Sequence, residues 1–237
     1  MNLIQHAPPA AMPFSQLSDN IWVLNRPLKA GPIDLGHRMS VVRLASGRLW
    51  VHSPVALDQE VRAGLDALGE VECLVAPSTF HDLYWKEWFV AYPQGRFYAV
   101  PGVREEHPEL PFTDVLDAGA PVWVGELDQT LLGGMPKINE TVFLHPESKT
   151  LIAADMAFNH DSSVNFATGL VLRMTGCYGR FGVSRLFKLM IKDKKALRRS
   201  VDQVLGWDFE RIVLGHGHIV EKDGRQVLED AYAFLSA

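Results

Sequence analysis

The stretch ETVFLHPESKTLIAAD (140–155) sets two β-branched, apolar runs on either side of the polar turn Pro146-Glu147-Ser148-Lys149, which is the pattern of a β-hairpin. A hairpin requires antiparallel neighbours, and a purely parallel doubly wound sheet has none. The second run ends on Asp155. One stretch therefore decides the polarity of a sheet and places a candidate functional side chain at the end of a strand.

Toward the N-terminus, NIWVLN (20–25), MSVVRL (39–44) and RLWVHS (48–53) read as short strands, with a Ser46-Gly47 turn between the last two. Asp58 is a candidate N-cap. Val61, Leu65 and Leu68 recur at helical spacing, and Gly69 ends the helix. A buried strand is expected over VECLVAP (71–77), then an aromatic helix over HDLYWKEWFVAY (81–92). Further strands are expected over RFYAVPG (96–102), PVWVGEL (121–127) and QTLLGG (129–134). Beyond the hairpin, Leu197, Val201, Val204 and Leu205 mark an amphipathic helix, RIVLG (211–215) a buried strand, and Val227, Leu228, Ala231, Phe234 and Leu235 a terminal helix. Hairpins mixed with helices in both halves predict an α/β sandwich with sheets inside and helices outside. A loose arm is expected over 1–17 and a single domain over 18–237.

With 237 residues, 47% of them hydrophobic, the chain is long enough to bury a sizeable core. A net charge of −5 gives no global attraction to nucleic acid. The two cysteines, Cys73 and Cys177, have no metal-knuckle spacing. They fit neither a disulfide scaffold nor a cysteine-based zinc knot, and they point to a reducing, cytoplasmic setting. No apolar run approaches the roughly 18 residues of a membrane-spanning helix. Neither a Walker-type phosphate loop nor a G-x-S-x-G elbow is present.

Three expected strands end on residue types that bind zinc, iron or manganese. After VECLVAP come His81 and Asp82, after TLIAA comes Asp155, and after RIVLG come His216 and His218. Taken singly, Asp155 fits a turn cap, Asp82 the first turn of a helix, and His216 a loop histidine. Their recurrence at strand ends points to one shared site.

The motifs HSPV (52–55), APSTFHDLYWKEW (76–88), YPQGRFYAVPG (92–102) and ETVFLHPESKTLIAAD (140–155) resemble the DUF4336 branch of the metallo-β-lactamase fold superfamily, over about residues 18–236. The resemblance implies an αββα four-layer sandwich with mixed sheets and outer helices. It also implies a reduced centre. Pro77 and Thr79 stand where the superfamily's first two histidines fall, and Met135-Pro136-Lys137 where another is expected. His81, Asp82, Asp155 and His216 remain as ligands for one divalent ion, zinc, iron or manganese. Asp82, Asp155 or His218 would handle the proton. The implied activity is metal-assisted hydrolysis of an ester, lactone, thioester or phosphodiester. The alternative is a non-catalytic scaffold that binds a small molecule, such as an anionic one, or a protein partner.

Residues 179–200 hold eight basic residues and one acidic one. They read as two helices with solvated basic faces, or as an anion-attracting surface. Tyr84, Trp85, Trp88, Phe89 and Tyr92 have the helical spacing of core packing. In NHDSSVNF (159–166), His160 and Asp161 are either part of a capped helix start or supports for the ligands.

Overall fold

The computed structural model describes residues 13–81, 83–116 and 121–236. The first half builds a seven-stranded sheet from β1 (Ser15–Ser18), β2 (Ile21–Arg26), a small ribbon of β3 (Lys29–Ala30) and β4 (Ile33–Asp34) outside it, β5 (His37–Arg43) and β6 (Leu49–His52). Helix α1 (Gln59–Leu68), β7 (Val71–Ala76), α2 (Trp85–Ala91), β8 (Arg96–Ala99), α3 (Val103–Glu106) and β9 (Asp114–Val115) follow. The sheet order is β1-β2-β5-β6-β7-β8-β9, antiparallel as far as β6 and parallel from β6 to β9.

The second half contains β10 (Asp128–Leu131), β11 (Thr141–His145), β12 (Thr150–Ile152), β13 (Phe158–His160), α4 (Phe166–Thr175), β14 (Arg180–Gly182), α5 (Arg185–Met190), α6 (Lys194–Leu205), β15 (Arg211–Val213) and α7 (Gly224–Tyr232). Strands β10-β11-β12-β15 form the second sheet, and β13 and β14 pair as a separate ribbon. The hairpin at 140–155 is present as β11 and β12, with Phe143 opposite Ile152.

Both faces of β11 are buried, as strand alternation predicts for an inner layer. Phe143 joins the core of the first sheet, its ring 4.9 Å from that of Trp50, while Val142 and Leu144 pack on the opposite side with Leu197, Val201 and Leu228 of α6 and α7. Val61 and Leu65 of α1, with Trp85 and Trp88 of α2, belong to the first core. This is the mixed αββα sandwich that the sequence implies. Asp58 caps α1 by accepting the Val61 N–H at 2.8 Å.

Several local expectations change. PVWVGEL is a run of turns: Val124 donates to the Pro121 carbonyl, Glu126 and Leu127 donate to that of Trp123, and Gly125 sits at φ 87°. Its strand-like alternation arises because Trp123 alone is fully buried between exposed valines. Helix α2 begins four residues later than expected. Residues 179–200 begin with strand β14 before the two helices α5 and α6. Of the arm expected over 1–17, residues 1–12 lie outside the described residues, and Ser15–Ser18 pairs with β2.

Candidate metal centre

Register explains how two candidate ligands meet. Ile152 pairs with Val213 across the parallel strands β12 and β15. Asp155 and His216 each lie three residues beyond that pair, at the same edge of the sheet. His81 arrives from the first sheet, on the loop after β7. Ligand atoms of His81, Asp155 and His216 all lie within 4.8 Å of one another, and all three residues are buried. The His81 Nε2 is 3.2 Å from Asp155 Oδ2, and the His216 Nε2 is 3.3 Å from Asp155 Oδ1.

Each imidazole is oriented through its other nitrogen. His216 Nδ1 lies 2.5 Å from the Gly36 carbonyl. A carbonyl can only accept, so Nδ1 carries a proton and Nε2 is left for Asp155 or a metal. His81 Nδ1 lies 2.5 Å from the Ser53 hydroxyl, which is 2.7 Å from His37 Nε2. A hydroxyl both donates and accepts, so Ser53 joins the two rings. Ser53 is fully buried and held at φ 56°, a conformation that non-glycine residues rarely adopt. The indole of Trp85 donates to the His81 carbonyl at 2.9 Å, so part of the aromatic cluster supports the site while packing in the core.

Charge is arranged to match. Burial would raise the Asp155 carboxyl, but His81 and His216 outweigh it and hold the group well below the carboxylate range. Burial opposes a proton on His216, yet the Asp155 hydrogen bond and charge leave its pKa above the ordinary value. Burial, then the charges of His81 and His216, lower His37 to about 3, so it is neutral at physiological pH. Beneath the site, Glu140 accepts the Ala154 and Asp155 N–H groups at 2.7 and 3.0 Å. Burial, then the charge of Asp155, push its carboxyl up to about 8.

Glycines permit the close approach. A Cβ on Gly215 would lie 2.8 Å from His81 Cε1. Arg38 fixes the His216 loop from β5: its guanidinium donates to the carbonyls of Leu214 at 2.8 Å and Gly217 at 2.5 Å, and its backbone N–H to that of Gly215 at 2.7 Å. Replacing Arg38 by Met removes the two side-chain bonds and keeps most of the stem. The expected result is a loss of about 2–3 kcal/mol in stability and about tenfold in metal affinity, read by denaturant titration and by calorimetric titration with zinc.

The donor set of two imidazoles and one carboxylate, each imidazole held through its remote nitrogen, fits a single divalent ion. The positions where the resemblance anticipates other histidines are tied up differently. Thr79 Oγ1 donates to the Lys137 carbonyl at 2.7 Å, its backbone N–H to that of Ile138, and Thr141 N–H to that of Pro77. Asp82 lies outside the described residues. His218 is not part of the triad: it is exposed and lies 3.0 Å from Asp161. Alongside the Gly215–Gly217 turn runs a cleft of about 550 Å³, lined by His37, Arg38, His160, Asn165 and His218 among others. His160 is buried there, and burial followed by the charges of His216 and His218 lowers it to about 4.

His37, Ser53, Gly36, Arg38 and Glu140 were not among the sequence candidates. A usable signal was the pair Gly36-His37 at the start of an apolar strand, a polar entry of the kind noted at the strand exits.

Comparison with known proteins agrees with this fold. No curated protein matches the sequence. Among solved structures, the DIM-1 metallo-β-lactamase superposes with a TM-score of 0.66 at 14% identity, covering 94% of this chain and 96% of that one. A metallo-β-lactamase from Hirschia baltica gives 0.65 at 11% identity, with 94% and 96% covered. The FIM-1 metallo-β-lactamase from Pseudomonas aeruginosa, in its mono-zinc form, gives 0.61 at 11% identity, with 94% and 95% covered. At such identities the likeness is one of fold. The model of the DUF4336 family, a domain of unknown function, matches residues 18–166, and the chain belongs to that family.

Proposed function

We propose that the protein is a hydrolase that uses one divalent metal ion held by His81, Asp155 and His216. The observation that carries this reading is the convergence of those three side chains, each imidazole presenting Nε2 and engaged through Nδ1. A divalent ion at this position would supply Lewis acidity toward a carbonyl or phosphoryl oxygen and lower the pKa of water at an open coordination position. Asp155, already anionic, holds the charge of the centre. His218, paired with Asp161 at the cleft, is the proposed proton carrier. Asp82, next to His81 in sequence, is proposed as a further ligand or base. Zinc suits the imidazole and carboxylate donors, and iron or manganese is the alternative. The buried, unpaired Cys73 and Cys177 support a reducing, cytoplasmic setting.

The test is metal analysis of protein purified without chelator, followed by ester, lactone, thioester and phosphodiester substrates assayed with zinc, iron and manganese. The expected result is about one ion per chain. Turnover of one substrate class should fall about a hundredfold or more in kcat/KM on His216→Ala. Turnover untouched by His216→Ala would refute the site. One bound ion without turnover would favour the second reading, a centre that binds a ligand without catalysis. The loop-to-loop bonds at Pro77 and Thr79 support that second reading.

A further inference from the structure

Helix α4 is built inside out. A surface helix ordinarily turns its large apolar residues inward. Here the buried residues are Thr168, Gly169 and Leu172. Phe166, Leu170 and Met174, spaced four apart on one face, are 83%, 49% and 68% exposed. Helix α5 packs against α4 and adds exposed Leu186 and Leu189, while Phe187 is its buried anchor. Arg185 of α5 donates to the Met174 carbonyl and ties the two helices together. The loop that carries His81 contributes exposed Phe80 and Leu83, with the Phe80 ring 6.0 Å from that of Phe187. An apolar surface of this kind marks a contact with something else.

Its charge indicates what that is. Residues 162–192 contain five basic residues, Arg173, Arg180, Arg185, Lys188 and Lys192, and no acidic residue. Among the described residues, none of the five forms an ion pair with a carboxylate. Arg173, Arg180, Arg185 and Lys192 are exposed. We propose that the α4–α5 face docks on an anionic lipid membrane surface. Large apolar side chains interleaved with cations suit the boundary between headgroups and acyl chains, where both kinds of group are satisfied together. A second copy of the chain fits poorly, because apposing two such faces would bring two sets of unpaired cations together. No helix among the described residues is long and apolar enough to cross a membrane, so the contact is peripheral. The face adjoins the cleft, since Asn165 lines the cleft and Phe166 follows it. The inference is independent of whether the metal centre catalyses.

The test is co-sedimentation of the full chain with phosphatidylcholine vesicles containing roughly 30% phosphatidylserine, compared with pure phosphatidylcholine vesicles. Expected is binding to the anionic vesicles alone, weakened by salt on the order of 0.5 M. The double variant Phe166→Ser, Leu189→Ser should lose about tenfold or more in partitioning. Both positions are exposed, so its circular dichroism and thermal midpoint should match the parent, which separates lost docking from lost folding. Absence of binding to anionic vesicles, or undiminished binding by the double variant, would overturn the proposal. So would a dimer in solution that the same substitutions dissolve, or retention on an acidic protein matrix without any vesicle binding.

Discussion

Asp155→Asn is expected to abolish metal loading while leaving the fold intact. Asn keeps the volume of Asp155 and can satisfy both rings without an ion. Its amide N–H would donate to His216 Nε2, whose Nδ1 proton is fixed by Gly36, and its carbonyl would accept from His81 Nε2. The metal loses its only carboxylate among the three described ligands, and affinity should fall at least about a hundredfold. Asp155→Ala removes the same ligand and strands two buried imidazoles and the Ser78 hydroxyl, which donates to Asp155 Oδ2 at 3.3 Å. That variant should also lose about 3–5 kcal/mol of stability, since breaking a buried charged arrangement leaves its partners uncompensated. Plasma emission spectrometry of the purified proteins gives the metal content, and denaturant titration separates the two variants. Full metal occupancy in Asp155→Asn would remove Asp155 from the ligand set.

Gly217→Ala should be among the most damaging single methyls in the chain's second half, in the same class as Gly134→Ala. Gly217 sits at φ 77°, and a Cβ there would stand 2.1 Å from the Asn159 carbonyl oxygen. That oxygen already accepts the His218 N–H at 2.6 Å, and Asn159 forms a bridge with Gly217, so the obstacle is ordered backbone. Left-handed strain contributes about 1–2 kcal/mol and the clash adds to it, for a total of about 4 kcal/mol. In a chain of this length that lowers the thermal midpoint by about 10 °C. Gly47→Ala is the control: it has a similar φ of 81° but nothing within 4 Å of the added carbon. Its loss should be confined to the strain of about 1 kcal/mol. Equal midpoints for the two variants would show that the contact with Asn159 does not matter.

The difference between these glycines also shows what could be read from the chain before its fold was known. His81, Asp155 and His216 were visible because each follows an apolar run, and a strand's exit is a local feature. Their supports were not visible in this way. Gly36 offers a carbonyl, Ser53 offers a hydroxyl from a left-handed turn, and Arg38 reaches across to Leu214 and Gly217. None of these depends on side-chain pattern within its own segment. The hairpin at 140–155 and the caps at Asp58 and Gly69 were legible from turn chemistry and periodicity. Strands β13 (FNH) and β14 (RFG) were not, since three residues of mixed polarity show neither an alternation nor the apolar run that marked β12 and β15. PVWVGEL shows the opposite failure: one buried tryptophan between two valines imitates the period of a strand without forming one.

The margins of both sheets have a bearing on how copies of this chain behave at high concentration. Strand β9 is two residues long, and β1 is four residues with a register shift between Gln16 and Ser18. On the other sheet, Val220 occupies the outer side of β15 through reciprocal bonds with Ile212, and α6 lies over β10, where Thr130 donates to Gln203 at 3.0 Å. Each border is thus short, kinked or already engaged, the devices by which natural sheets refuse an incoming strand. Fibril growth by edge addition finds no long open ladder among the described strands.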